Sequence, residues 1–281
     1  MIEFFKMSGS GNDFILIDNR AGAVEAALGE MAVADFVRSV CTPKISLGAD
    51  GLIMIQHSDK ADFAWRFFNA DGGEAAMCGN GGRCAARFAY LQGIAGNRMS
   101  FETRAGLIDA EVRDDGVKLR LTDPLGLRSD DLLLPDGRSC GADSINTGVP
   151  HAVSFVEDVD HTDVRGMGRA IRYHERYVPE GTNANFVEVV DRRTLRVRTY
   201  ERGVEDETLA CGTGSVASAL IASWKGLVDA PVAVRVRSGE TLRIYFEKTA
   251  GGFERVYLEG GARVVCQGAL WQEAYRFQKK P

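Results

Sequence analysis

The sequence lacks the features that mark several classes of protein. Its 281 residues contain no run of lysine and arginine and carry a net charge of −5, so nothing favours nucleic-acid binding. No uncharged apolar run approaches the ~18 residues that a membrane helix needs. The first residues also lack a signal-peptide pattern. We therefore expect a cytoplasmic protein that binds neither nucleic acid nor membrane.

Cysteine and histidine are too scattered to suggest a disulfide framework or a metal site. The chain has six cysteines, and the only close pair, Cys78 and Cys84, is separated by five residues, which common zinc motifs do not use. The four histidines form no cluster in the sequence. We therefore expect no metal.

What the sequence does contain is a repeated cysteine motif. The first copy, C-G-N-G-G-R at residues 78–83, leads into a small apolar segment that stops at Gly93. The second copy, C-G-T-G-S at residues 211–215, leads into a similar segment that stops at Gly226, at the same distance from its cysteine. A glutamate stands four residues before each cysteine, at Glu74 and Glu207. We interpret the two copies as an internal repeat.

Each copy predicts a thiol at the N-terminus of a helix. Such a terminus has unpaired backbone N–H groups and about half a positive charge, so it binds an anion such as a carboxylate and lowers a thiol pKa. A cysteine is more often a small buried residue, and Cys-Gly-x-Gly can be merely a tight turn. Two matched copies, however, favour a functional role for both cysteines over a structural one. Cys78 and Cys211 could remove a proton from one face of a carboxylate-bearing carbon and return one to the opposite face.

The remaining pattern predicts an α+β protein with two similar halves. The chain length suits two domains, and residues 2–18 are typical of a β-hairpin. The segment after each cysteine is apolar nearly all round, which indicates a helix buried on most sides. We predict two pseudo-symmetric domains, each a mixed β-sheet curled around a central, mostly buried helix. The composition shifts near residues 124–143, where we place the domain crossing, and His151 then stands near the place that Asp13 holds in the first half.

Together these motifs resemble those of the diaminopimelate epimerase family. They follow the family order over almost the whole chain, at residues 6–14, 48–51, 68–72, 78–83, 147–151, 183, 200–203 and 210–214. The resemblance implies an amino-acid epimerase that uses no cofactor. It implies one domain of residues 1–123 plus 265–281, a second domain of residues 124–264, and an active site in the cleft between them.

The resemblance also implies roles for individual residues. Cys78 and Cys211 are the expected acid/base pair, with Cys78 as proton donor and Cys211 as proton acceptor for the LL substrate, a direction that the sequence itself does not give. The reacting carboxylate is expected at the backbone N–H groups of Gly79, Asn80, Gly212 and Thr213. The polar ends of the substrate are expected at Asn12, Asn69, Asn183, Glu201 and Arg202. The expected supporting residues are Asp13, His151, Glu74 and Glu207.

The chain departs from the pattern of some relatives at two positions, because Gly51 stands where they have Gln and Val149 where they have Asn. The expected reaction converts LL-2,6-diaminopimelate to the meso form, in lysine and peptidoglycan precursor synthesis. The expected partner is the small amino-acid substrate, and a homodimer is an open alternative to a monomer.

Three other functions compete with this one. A proline or hydroxyproline racemase typically carries His where Asn80 stands, and a phenazine-biosynthesis isomerase lacks the paired cysteines. A non-catalytic amino-acid binding module would hold a ligand at the two helix ends without exchanging its α-hydrogen.

Overall fold

The computed structural model describes residues 1–114, 116–135 and 137–277. The chain divides into two compact units. The first unit consists of Met1–Leu119 together with the chain from Gly261 onward, and the second is Arg120–Gly260. Each of the two points where the chain passes from one unit to the other lies a few residues before the boundary that the resemblance implied.

The elements of the structure follow one another in two similar series. The first series is β1 (Ile2–Gly9), β2 (Asn12–Asp18), α1 (Ala23–Leu28), α2 (Val33–Val40), β3 (Gly51–Gln56), β4 (Phe63–Asn69), β5 (Glu74–Ala75), α3 (Gly79–Leu91), β6 (Arg98–Thr103), β7 (Gly106–Arg113) and β8 (Gly116–Arg120). The second series is β9 (Leu125–Leu133), β10 (Ser139–Asn146), β11 (Pro150–Phe155), α4 (Val164–Arg172), β12 (Asn183–Asp191), β13 (Thr194–Glu201), β14 (Asp206–Thr208), α5 (Gly212–Trp224), β15 (Val232–Val236), β16 (Thr241–Thr249) and β17 (Gly252–Gly261). The last strand is β18 (Arg263–Leu270), and short 3-10 helices lie at Glu175–Tyr177 and Gln272–Ala274.

The first unit is a mixed sheet with two parallel crossovers. Strand β1 pairs antiparallel with β2 and with β18, so the end of the chain completes this unit. Strand β2 pairs parallel with β3 across α1 and α2, and β4 pairs parallel with β6 across α3. The other pairings, β3–β4, β4–β5, β6–β7 and β7–β8, are antiparallel. A parallel pair needs such a helical crossover because its strands run in the same direction.

The second unit repeats this order strand by strand. Strand β10 pairs antiparallel with β9 and β11, as β1 does with β18 and β2. Strand β11 pairs parallel with β12 across α4, and β13 pairs parallel with β15 across α5. The pairings β12–β13, β13–β14, β15–β16 and β16–β17 are antiparallel. The predicted fold class, α+β with two pseudo-symmetric halves, is confirmed.

Helices α3 and α5 lie in the interiors of their units, as their composition predicts. Every residue of α5 from Gly214 to Ser223 is buried, and its apolar side chains pack with those of β10 to β13 and β15 to β17. Helix α3 is buried over most of its length as well. It differs from α5 in carrying Arg83, a fully buried arginine. Full burial of a large apolar side chain contributes about 1.5–3 kcal/mol, so Leu220 and Ile221 of α5 and Phe88 of α3 help to hold each helix in its unit.

Residues 124–143, where the composition changes, are part of the second unit's sheet. They contain β9 and most of β10, which pair along their length. The buried Asp130 explains why a charged segment can be a strand here, because Arg128 and Arg176 both form ion pairs with its carboxylate at 2.8 Å and Ser144 donates a hydrogen bond to it. Burying a carboxylate is tolerated when it is paired in this way.

Across the described residues 1–114, 116–135 and 137–277, no helix is long and apolar enough to cross a membrane. The same residues hold no group of three or more His, Cys, Asp or Glu side chains placed to bind a metal ion.

Candidate active site

Cys78 is the N-cap residue of α3. Its backbone is extended, with φ −145° and ψ 120°, and its Sγ accepts a hydrogen bond from the N–H of Gly81 at 3.5 Å. The sulfur therefore takes the place that a serine or aspartate oxygen usually holds at this position. The positive end of the helix dipole favours the anionic form of any group held there. The Cys78 side chain is half-buried.

Cys211 holds the same place at the start of α5. Its backbone is also extended, with φ −121° and ψ 111°, and its Sγ accepts a hydrogen bond from the N–H of Gly214 at 3.4 Å. Cys211 is more deeply buried than Cys78, with 7% of its surface exposed. Both cysteines thus lie at helix N-termini. The next two residues are Gly79 and Asn80 in the first copy, and Gly212 and Thr213 in the second. Their N–H groups have no carbonyl partner within the helix, because no helical turn precedes them.

The first elbow, which is the turn from Cys78 into α3, is held by an amide network. Asn80 donates from Nδ2 to the Oδ1 of Asn12 at 2.8 Å, and Asn12 donates from Nδ2 to the Oδ2 of Asp50 at 2.9 Å. The buried Arg83 donates from Nη2 to the Oδ1 of Asn80 at 2.9 Å and to the hydroxyl of Ser10. The predicted residues Asn12 and Asn80 therefore lie together, and Arg83, which the sequence did not single out, fixes the orientation of Asn80.

Asp13 holds the start of strand β2, where Asn12 lies. Its carboxylate pairs with Lys6 at 2.7 Å and accepts the backbone N–H of Asp50 at 3.0 Å. These contacts give Asp13 a structural role in the first unit, and its supporting role at the thiols stays a prediction.

The second elbow, which is the turn from Cys211 into α5, is held by a row of hydrogen-bonded side chains on the sheet. His151 Nε2 lies 3.0 Å from the hydroxyl of Thr213, whose oxygen is 3.6 Å from Cys211 Sγ. On its other side, His151 Nδ1 lies 3.1 Å from the amide nitrogen of Asn185. Burial, reinforced by the positive charge of Arg202, lowers the pKa of His151 to about 3, so the ring is neutral at physiological pH.

Asn183, Glu201 and Arg202 lie together at the ends of β12 and β13. Asn183 accepts the backbone N–H of Arg202 at 2.8 Å and donates to the carbonyl of Pro150 at 3.1 Å. Arg202 donates from Nη1 to the carbonyl of Glu180 at 2.7 Å. Burial raises the pKa of the Glu201 carboxyl. The asparagine amide thus positions the start of the Glu201–Arg202 turn.

The glutamate before each cysteine binds an arginine of the preceding strand. Glu74 pairs with Arg66 of β4 through two contacts of 3.1 and 3.0 Å. Glu207 pairs with Arg198 of β13 through contacts of 2.6 and 2.8 Å, and also with Arg237 at 2.9 Å. Bidentate pairs of this kind fix the segment that enters each elbow. The two glutamates therefore hold the segments that enter the elbows, and the sequence analysis did not single out their arginine partners.

The strand registers relate positions in one unit to positions in the other. The strand registers pair His151 with Asn183 in the second unit and Phe14 with Gly51 in the first. Because Asn183 and Gly51 hold equivalent positions, the residue that matches His151 is Phe14, which is next to Asp13 in the sequence. At Gly51, a Cβ would lie 2.5 Å from the carbonyl oxygen of Phe68, so the local backbone leaves no room for a side chain.

Asn69 lies on the surface at the end of β4, where its backbone closes a turn with Gly73 and Gly72. In the strand registers it corresponds to Glu201 of the second unit. This position is the one that the resemblance assigns to substrate binding in both halves.

Sequence comparison decides the family. The model of the diaminopimelate epimerase family matches residues 4–124 and 144–265. A diaminopimelate epimerase from Aquifex aeolicus is 50% identical over 98% of this chain and 100% of its own length. One from Archaeoglobus fulgidus is 44% identical over 98% of this chain and 99% of its own length. This chain belongs to the diaminopimelate epimerase family.

Solved structures that resemble the chain share its fold at low identity. A probable proline racemase from Agrobacterium radiobacter K84 superposes with a TM-score of 0.69 at 16% identity, covering 96% of this chain and 93% of that one. A phenazine biosynthesis protein of the PhzF family from Bacillus anthracis gives 0.70 at 15%, covering 96% and 99%. Membership of the family makes the chain an isomerase, while these distant structures describe the fold alone.

Proposed function

We propose that the chain converts LL-2,6-diaminopimelate to the meso form by proton transfer between two cysteine thiols and one α-carbon. The observation that carries the proposal is the matched pair of thiols, Cys78 and Cys211, each the N-cap of a buried helix in a duplicated unit. The relatives named as diaminopimelate epimerases support the choice of substrate. In this proposal each unit supplies one of the two proton-transfer groups.

The chemistry follows from what a helix N-terminus does to a sulfur. One cysteine is a thiolate, stabilised by the N–H that it accepts and by the helix dipole. It takes the α-proton and becomes a thiol, while the electron pair remains on the substrate as a carbanion. The other cysteine, a thiol, then protonates the opposite face and becomes a thiolate. The family convention assigns the acceptor role to Cys211 and the donor role to Cys78 for the LL substrate.

The substrate's charged groups match the residues around each elbow. The N–H groups of Gly79, Asn80, Gly212 and Thr213 would receive the reacting carboxylate and stabilise the charge that develops on it as the carbanion forms. The guanidinium of Arg202 suits the distal carboxylate, and the carboxyl of Glu201 suits an ammonium. Asn12, Asn69 and Asn183 would complete the polar contacts. The pathways that this product supplies, lysine and peptidoglycan precursor synthesis, and a cytoplasmic location belong to the same proposal.

A substrate panel in deuterated water tests the proposal. The purified protein is incubated separately with LL-diaminopimelate, L-proline and trans-4-hydroxy-L-proline, and deuterium at the α-carbon is followed by NMR. We expect exchange and conversion to the meso form with diaminopimelate alone. Exchange only with proline or hydroxyproline would show that one of these amino acids, and not diaminopimelate, is the substrate. Tight binding of diaminopimelate without any α-exchange would mean a binding module.

A further inference from the structure

Three buried polar side chains line up across neighbouring strands behind the second elbow. They are His151 on β11, Asn185 on β12 and Thr199 on β13, with 1%, 1% and 3% of their surfaces exposed. The corresponding positions of the first unit, by strand register, are Phe14, Ile53 and Phe67. The fold therefore accepts an apolar trio at these positions. Burying polar groups instead is costly unless each is hydrogen-bonded, so the polar trio calls for a functional reason.

The orientation of the Asn185 amide is fixed from two sides. The carbonyl of Ala152 can only accept, and it lies 2.9 Å from Nδ2, so the amide nitrogen must face it. The hydroxyl of Thr199 donates to Oδ1 at 2.9 Å. A flipped amide would place two oxygens against each other at Ala152. The second N–H of Asn185 then points at His151.

This orientation determines which nitrogen of His151 carries the proton. Nδ1 lies 3.1 Å from the Asn185 nitrogen and must accept. A neutral imidazole has one N–H, so the proton is on Nε2, which donates to the Thr213 hydroxyl at 3.0 Å. The Thr213 oxygen is thus used as an acceptor, and its own proton is directed to another partner. Cys211 Sγ, at 3.6 Å, is that partner.

We propose that Asn185 and Thr199 are positioning residues that hold His151 in its Nε2–H tautomer, so that the Thr213 hydroxyl donates to the sulfur of Cys211. The role in turnover rests on the proposed function, since it assumes that Cys211 exchanges a proton with substrate. His151 then acts as a fixed hydrogen-bond donor and not as the base that deprotonates the thiol. At the first elbow the position equivalent to His151 is Phe14, whose ring has no N–H to donate, so this relay belongs to the second elbow.

The tautomer is measured without substrate. Histidine ring nitrogens are labelled with ¹⁵N, and the His151 signals are assigned by comparison with His151→Gln. We expect the wild-type protein to show a protonated Nε2 and an unprotonated Nδ1. In Asn185→Asp, a carboxylate can accept from Nδ1 but cannot donate to it, so we expect the proton to move to Nδ1. A protonated Nδ1 in the wild type, or an unchanged tautomer in Asn185→Asp, would overturn the proposal.

A second pair of variants guards against misfolding of Asn185→Asp. Thr199→Val removes the hydroxyl at nearly constant volume, and Thr199→Ser keeps it. We expect kcat for LL-diaminopimelate to fall about tenfold in Thr199→Val and about a hundredfold in Asn185→Asp, with KM changed less than threefold. Thr199→Ser should restore kcat to within about twofold of the wild type. Equal losses in Thr199→Val and Thr199→Ser would reduce Thr199 to a packing role and contradict the proposal.

The reactivity of Cys211 links the tautomer to the thiol. The rate of alkylation by iodoacetamide is followed against pH, with the Cys211 peptide identified by mass spectrometry. We expect the pKa of Cys211 to be higher in Thr199→Val and in Asn185→Asp than in the wild type, and unchanged in Thr199→Ser. An identical alkylation profile in all four proteins contradicts the relay. If the tautomer and alkylation results hold but no protein turns over diaminopimelate, the proposed function fails and the relay stands.

Discussion

The two elbows share one backbone design but not one chemical environment. Each begins with a cysteine N-cap whose sulfur accepts the N–H three residues on, and each is entered by a glutamate held by a strand arginine. Behind the first elbow the sheet presents Phe14, whose ring packs edge-on against Phe67 with centroids 6.0 Å apart. Behind the second it presents His151, hydrogen-bonded at both ring nitrogens.

This difference separates the features that the two copies share from those in which they differ. The helix dipole and the N-cap geometry come from the backbone, so both copies keep them. The side chains behind each elbow are set residue by residue, so one copy can be apolar and the other polar. A catalyst that must remove a proton with one thiol and deliver one with the other has a use for two unlike thiols.

The largest expected effect comes from removing either sulfur. We expect Cys78→Ala and Cys211→Ala each to lower kcat for LL-diaminopimelate by about a thousandfold or more, because each deletes one of the two proton-transfer groups. Cys266→Ala is the matched control, since Cys266 is exposed on β18, and it should retain wild-type kcat. Steady-state assays under reducing conditions measure all three. Substantial activity in Cys78→Ala or Cys211→Ala would contradict the proton-transfer role of that cysteine.

The second prediction compares the two arginines that hold the elbows. Arg198 contacts a glutamate whose side chain is 3% exposed and also donates to three backbone carbonyls, whereas the Arg66–Glu74 pair is about 30% exposed. We expect Arg198→Leu to lower the free energy of unfolding by about 3 kcal/mol and Arg66→Leu by about 1 kcal/mol. Urea denaturation followed by circular dichroism measures both. Equal losses would mean that the two elbows are equally dependent on their ion pairs.

A third prediction uses the acid sensitivity that the buried His151 gives to the second unit. The folded pKa of His151 is about 3, below the ordinary value of 6.5, so protons bind the unfolded chain more readily. The stability that a neutral His151 permits is present above pH 6.5 and is lost as the pH falls toward 3. Between pH 7 and pH 5 the wild type should therefore lose about 2 kcal/mol more than His151→Gln. Urea denaturation at both pH values measures the difference, and parallel losses in the two proteins would contradict a buried, neutral histidine.

The smallest effect comes from matched glycines in the first turns of α3 and α5. A Cβ at Gly214 would lie 2.3 Å from Oδ1 of Asn185 and 3.2 Å from Sγ of Cys211, whereas the tightest contact of a Cβ at Gly81 would be the flexible end of Ile53, at 3.2 Å. We expect Gly214→Ala to displace the Asn185 amide and lower kcat about tenfold, and Gly81→Ala to lower it less than threefold. Kinetic assays of both variants make the comparison. A larger loss of kcat in Gly81→Ala than in Gly214→Ala would contradict the role of the polar relay at the second elbow.

The elbows could be predicted from the sequence because their signal is local. A cysteine followed by glycines and a small apolar run indicates a helix N-terminus, and the repeat of that pattern indicated the two-unit fold. Residues 124–143 were harder to interpret, because the carboxylate of Asp130 is paired with Arg176, which lies far along the chain. The aspartates, prolines and glycines of this segment made it resemble a crossing between domains.

Asn185 and Thr199 could not be found in this way. In the sequence they are ordinary polar residues of two strands, and only the register of β12 against β13 brings them together. Arg83 was missed for the same reason, since its burial depends on partners such as Ser10 and the carbonyl of Gly261 that are distant in the chain. Side chains whose role depends on strand pairing need the structure.

The central claim is that two thiols act on opposite faces of one α-carbon, and the early time course in deuterated water tests it most directly. Wild-type protein is mixed with unlabelled LL-diaminopimelate, and both stereoisomers are recovered after a few per cent conversion. The account predicts deuterium at the α-carbon of the meso product and almost none in the remaining LL substrate. Equal deuterium in both pools at that stage would indicate a single base that exchanges with solvent, and would contradict the account.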